Sequence, residues 1–205
     1  MTRRPRSREL RHRIAAEAAR LLAQQEARGP QDACRKAAAR LGCRDRAQWP
    51  DNLEIERQLR QYRELFQPHA LDDDLVHLRR TALEAMRDLE SFAPRLTGPV
   101  LRGTADHDDP VRLHLYTDTP EAVMLYLMER RIPFSERSVR LRFGDRSTRS
   151  IPLFDFAAGG SAVELVVLPP AALSDPPIDP WSQRPEAGAG IGRVAALLAG
   201  ASGQR

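Results

Sequence analysis

The chain has 205 residues, 41% of them hydrophobic and 29% charged, which is the composition of a folded globular protein with room for one domain and a helical extension or for two small domains. No apolar run approaches the ~20 residues that a membrane helix needs, and no apolar leader stretch follows the basic N-terminus, so the expectation is a cytoplasmic protein with no membrane partner. The 32 basic residues, all Arg except Lys36, nearly balance 28 acidic ones, so the net charge of +4 argues only weakly for a nucleic-acid partner.

Residues 1 to 13 hold Arg3, Arg4, Arg6, Arg8, Arg11 and Arg13 against Glu9 alone. With no aromatic interleaved to stack on bases, this reads first as a solvated basic arm and second as a contact to nucleic acid. Ser7 is placed to cap a helix running to about Ala27, with Leu10, Ile14, Ala18, Leu21 and Leu22 on one stripe. A second helix is expected from about Gln31 to Gly42. Cys34 and Cys43 match no zinc spacing and are read as reduced structural thiols.

The opening helix pair superficially resembles TetR-type helix-turn-helix repressors, which gives a DNA-binding regulator as one functional alternative. Trp49-Pro50-Asp51 interrupts the segment where a recognition helix should follow, so a plain helical hairpin is the favoured reading. Asp51 and Glu54 form a capping box for a third helix packed through Ile55, Leu59, Tyr62 and Phe66 and closed by Pro68. Asp72 to Asp74 are expected to cap a fourth helix. In it Leu75, Leu78, Ala82, Met86 and Leu89 face a core, and Arg79, Arg80, Glu84 and Arg87 face water.

Between Leu96 and Tyr116 the pattern changes from helix to strand. Gly98 and Gly103 punctuate a turn, an acidic loop Asp106-His107-Asp108-Asp109 follows, and Val111, Leu113 and Leu115 then alternate with Arg112, His114 and Tyr116. A helix with Pro120 at its first position packs through Val123, Met124, Leu127 and Met128. Val139, Leu141 and Phe143 alternate with Arg140 and Arg142 in a further strand. Residues 151 to 156 and 162 to 168 form a strand pair joined by Gly159-Gly160. The region from 169 to 190 reads as irregular, and 191 to 198 as a short helix. The fold class is therefore α+β. Residues 1–92 form a helical region of four helices, the last packing on the sheet; residues 93–170 form a mixed-sheet core; residues 171–205 form a Pro/Gly-rich loop and short helix.

Leu96, Gly98, Arg102, Gly103, Thr104, Ala105, Val111 and Leu113 stand at the spacing of the signature of the DNA polymerase β-type nucleotidyltransferase superfamily, which this segment resembles, its small prokaryotic members above all. The resemblance implies a nucleotidyltransferase-like sheet. It also implies a pair of aspartates on the strand that hold Mg²⁺ for transfer of a nucleoside monophosphate from a triphosphate. Here Pro110 and Arg112 stand at those two positions, and Pro99 replaces a serine.

Three functional expectations follow. The preferred one is a catalytically degenerate, nucleotidyltransferase-like protein with a nucleotide, phosphate or regulatory role and no metal. Its ligand would meet Gly98, Arg102, Gly103, Thr104, Arg112, His114, Arg140 and Arg142. In an active enzyme, Asp108, Asp109 and Glu164 would replace the missing carboxylates and hold Mg²⁺, with Asp155 competing for the place of Glu164. Glu164 otherwise pairs with Arg140 or Arg142 across strands. The third expectation is the DNA-binding regulator.

Overall fold

The computed structural model describes residues 4–27, 29–66 and 70–202. Among them, seven α-helices and a five-stranded mixed sheet make an α+β fold in which helices precede the sheet. The chain divides into two compact units. One comprises residues 1–69 with 180–183, the other residues 70–179 with 184–205. No helix among the described residues is long and apolar enough to cross a membrane.

The first unit is built from α1 (Arg4–Ala23), α2 (Pro30–Arg40) and α3 (Asn52–Phe66). Ile14, Ala15, Ala18 and Leu21 form the buried stripe of α1 and meet Ala33, Cys34, Ala37 and Ala38 of α2 and Ile55 of α3. The small alanine side chains let the helices approach closely and leave little for a polar group to interrupt. Trp49 and Trp181 close the edge of this cluster. Burial pushes the Cys34 thiol up, as suits an inert structural cysteine.

The capping box forms as the spacing predicts. The Asp51 N–H donates to Glu54 Oε2 and the Glu54 N–H donates to Asp51 Oδ1, each at 2.8 Å. The start of α1 differs from expectation. The helix begins at Arg4, so Ser7 lies inside its first turn, and it ends at Ala23. The closing role assigned to Pro68 lies outside the described residues.

The second unit begins with α4 (Ala70–Asp88), so the Asp72 to Asp74 run lies within its first turns and does not precede it. Leu78, Ala82, Met86 and Leu89 pack onto one face of the sheet, as their spacing requires. Arg79 does not face water. It is buried, and its Nε donates to the Val100 carbonyl at 3.2 Å, because a short neighbouring helix brings an otherwise unmatched carbonyl against α4.

The sheet contains β1 (Arg95–Thr97), β2 (Val111–Tyr116), β3 (Ser135–Arg142), β4 (Thr148–Ala158) and β5 (Ser161–Leu168), in the order β1-β2-β5-β4-β3. Strands β2 and β5 run parallel, with Val111 opposite Val163 and Arg112 opposite Glu164; the remaining pairs are antiparallel. Val111, Leu113, Leu115, Val163, Leu165 and Val167 face the core beneath α4, α6 (Pro120–Glu129) and α7 (Ile191–Ser202). On α6, Val123 and Leu127 are buried, but Met128 is 58% exposed and does not pack inward. The buried stripe of this helix is one residue per turn, with Met124 half-buried beside it, and it leaves Met128 outside. Residues 169–190 are irregular apart from a 3₁₀ turn at Pro170–Leu173 and single bridges such as Leu96 with Ala189.

Candidate functional site

The site lies where β1, a single helical turn and β2 meet at one edge of the sheet. Thr97 leads into α5 (Gly98–Arg102), which Gly103 terminates in the left-handed conformation at φ +76°. Gly98 is also left-handed, at φ +75°. Both positions fall where a side chain would strain the backbone, and this explains the glycine spacing in the sequence. The Thr104 N–H donates to the Pro99 carbonyl at 3.0 Å and fixes the exit from the turn.

Strand β2 presents Arg112, His114 and Tyr116 to the other face, which carries a second buried apolar cluster of Tyr116, Phe143, Ile151, Leu153, Val166 and Leu168. Arg112 Nε and Nη2 both reach Glu164 Oε2 at 2.7 Å. The other oxygen of Glu164 accepts from Arg137 Nη2, and Arg137 Nε donates to Asp155 Oδ1 at 3.0 Å. Glu164 is 7% exposed. Two guanidinium groups and two carboxylates thus run across β2, β5, β4 and β3 with their formal charges cancelled. The Asp155 hydrogen bond, with the charge of Glu164 adding to it, holds the Arg137 pKa above its ordinary value.

A second ion-pair group borders the first. Arg102 Nη1 lies 3.0 Å from Asp179 Oδ1 and 3.4 Å from Glu186 Oε1, and the Gly98 N–H donates to Glu186 Oε1 at 3.2 Å. Burial, with the neighbouring Asp179 adding to it, raises the Glu186 pKa, against the pull of Arg102. Burial also pushes His114 down to about 3, helped by the charge of Arg112, so its imidazole is neutral at physiological pH. His114 Nδ1 and Tyr116 Oη have no hydrogen-bond partner among the described residues.

The residues singled out from sequence are only partly brought together. Gly98, Arg102, Gly103, Thr104, Arg112 and His114 surround the β1–β2 turn, with Glu164 beside them. Arg140 and Arg142 do not join them. They lie on β3, with β5 and β4 intervening, and alternate to the face opposite Arg137, so Glu164 pairs with Arg112 and Arg137 instead. Asp108 and Asp109 stay in the loop. Asp109 Oδ2 accepts from the Asp106 N–H at 2.9 Å, and Asp108 lies 3.2 Å from His107.

A divalent cation does not fit this donor set. The Arg112 guanidinium occupies the position beside Glu164, both Glu164 oxygens are engaged, and no cluster of three His, Cys, Asp or Glu among the described residues could hold a metal. Sequence reasoning missed Arg137, Asp179 and Glu186. Arg137 shares its parity along β3 with Val139 and Leu141, so alternation read back from them puts it on their face of the sheet, which is also the face of Arg112 and His114. Comparison with protein-family models, with curated proteins and with solved structures returns no match.

Proposed function

We propose that the sheet unit is a nucleotidyltransferase-like module that does not catalyse transfer and serves a binding or regulatory role. The observation that carries this reading is the pairing of Arg112 with Glu164 in register across parallel strands. A fixed monovalent cation stands where transfer chemistry would need exchangeable divalent ones. The neutral His114 and the loop-bound Asp108 and Asp109 supply no alternative acid–base or metal-binding set.

A phosphate-bearing ligand fits the same place without metal. The side chains of Arg112 and Arg137 remain 37% and 52% exposed while paired, so each retains N–H donors for an incoming oxyanion. Calorimetry with nucleoside triphosphates tests this directly. Binding should be the same with Mg²⁺ or with a chelator, and no pyrophosphate should appear. Titration of Mn²⁺ followed by electron paramagnetic resonance should show no specific site in the natural chain and a new one in Arg112→Asp. Release of pyrophosphate, or triphosphate binding that requires Mg²⁺, overturns the proposal.

A further inference from the structure

The near balance of charge over the whole chain hides an imbalance between its units. Residues 1–69 carry 16 basic and nine acidic residues, whereas residues 70–205 carry 16 basic and 19 acidic, and the segment 180–183 is uncharged. The helical unit is therefore strongly cationic by itself, which a single net charge conceals.

Several acids of that unit are committed to internal pairs. Glu17 and Glu26 bridge Arg20 and Arg40, Asp32 meets Arg35 and Lys36, and Glu54 holds Arg11. Arg8, Arg57 and Arg60 are exposed, and none has an ion-pair partner among the described residues. Arg8 on α1 and Arg57 on α3 both line a groove of about 900 Å³, with Glu9, Arg11, His12, Glu54, Gln58 and Gln61 beside them. Arg60 is one turn on from Arg57, next to Gln61 in the chain. With Glu54 tied to Arg11, the groove sets the guanidinium groups of Arg8 and Arg57 against the one carboxylate of Glu9, and it has amide donors on its α3 side.

We infer that this groove binds the phosphodiester backbone of a nucleic-acid duplex. Arginine forks and glutamine amides are donors suited to phosphate oxygens. No Phe, Tyr or Trp lines the groove to stack an unpaired base, so the duplex backbone fits it better than a single strand. This inference concerns the helical unit alone and does not rest on the reading of the sheet.

The test is fluorescence anisotropy of the full chain with a labelled 20-base-pair DNA duplex, the matching RNA duplex, the DNA single strand and polyglutamate. The duplexes should bind at 50 mM salt, and the tighter of the two identifies the source of the backbone. Three phosphate contacts imply a loss of about 40-fold in affinity between 50 and 200 mM salt, and Arg8→Gln with Arg57→Gln should reduce that loss to about fourfold. Gln61→Arg should tighten binding and steepen the salt dependence, while Arg35→Gln on α2 should leave both unchanged. Circular dichroism checks that each variant is folded. Absence of duplex binding at 50 mM salt overturns the inference. So does equal affinity for single strand or polyglutamate, or a salt dependence that Arg8→Gln with Arg57→Gln leaves intact.

Discussion

Arg112 and Glu164 stand opposite one another on parallel strands β2 and β5, and two nitrogens of the guanidinium share a single carboxylate oxygen at 2.7 Å. Because Arg137 takes the other oxygen, Glu164 is the carboxylate that joins the two guanidinium groups, while Arg137 keeps Asp155 as well. Removing it should cost more than removing either arginine. Glu164→Gln is expected to destabilise the protein by about 2 kcal/mol, since it leaves the part-buried Arg112 guanidinium without its carboxylate while Arg137 keeps Asp155. Urea unfolding of Glu164→Gln, Arg112→Gln and the double variant measures this. The double variant should be less impaired than the two single losses added together.

His114 gives the fold a dependence on acid. Its folded pKa of about 3 lies below the ordinary value of 6.5, so the unfolded chain takes up the proton first. The contribution is complete above pH 6.5 and is lost as pH falls toward 3, by an amount on the order of 5 kcal/mol. In His114→Leu the stability measured by urea unfolding should vary less with pH across that window. A natural-chain profile that is flat from pH 6.5 to 4 would refute the buried neutral imidazole.

Glu186 works in the opposite direction. Its folded pKa is raised, so the stability it contributes is present below its ordinary value of 4.5 and declines as pH rises through the folded value. Glu186→Gln should remove that decline. Thermal melts of both proteins from pH 4 upward should therefore converge in slope at low pH and separate above about pH 4.5, with the variant holding its Tm better.

Gly188 is held at φ +67°, and a Cβ there would lie 2.8 Å from the Leu96 carbonyl oxygen and 2.9 Å from both Arg95 Cβ and Thr97 Cγ2. Backbone and strand atoms cannot withdraw as a flexible side chain tip could. Gly188→Ala is expected to cost about 2–4 kcal/mol through strain and forced separation of this segment from β1. Differential scanning calorimetry should show Tm lower by roughly 5–15 °C. Gly192→Ala, where nothing lies within 4 Å of the added carbon, serves as the matched control and should leave Tm nearly unchanged.

Periodicity made the scaffold legible where one face is apolar. Val111, Leu113 and Leu115 announced β2, Leu78, Ala82, Met86 and Leu89 announced the buried stripe of α4, and Gly98 and Gly103 marked backbone that only glycine adopts easily. The polar side of the site was harder to read. The Ser135-Glu136-Arg137-Ser138 half of β3 has no apolar alternation, so the strand seemed to start at Val139 and Arg137 stayed hidden. The burial of Arg79 depends on a carbonyl that α5 delivers from 21 residues away. Glu186 sits in a Pro/Gly-rich stretch without a period, where neither pairing nor burial is written in local spacing.

The sheet order has a kinetic consequence. Strands β3, β4 and β5 follow one another as a meander whose turns close within a few residues, whereas β2 and β5 join positions 52 residues apart, Val111 with Val163. Chain-closure entropy makes the local meander the earlier event and the parallel seam the later one. Conservative truncations on the β2 side of the seam such as Val111→Ala should accordingly accelerate unfolding while leaving the refolding rate nearly unchanged, and truncations in the meander such as Leu153→Ala should slow refolding.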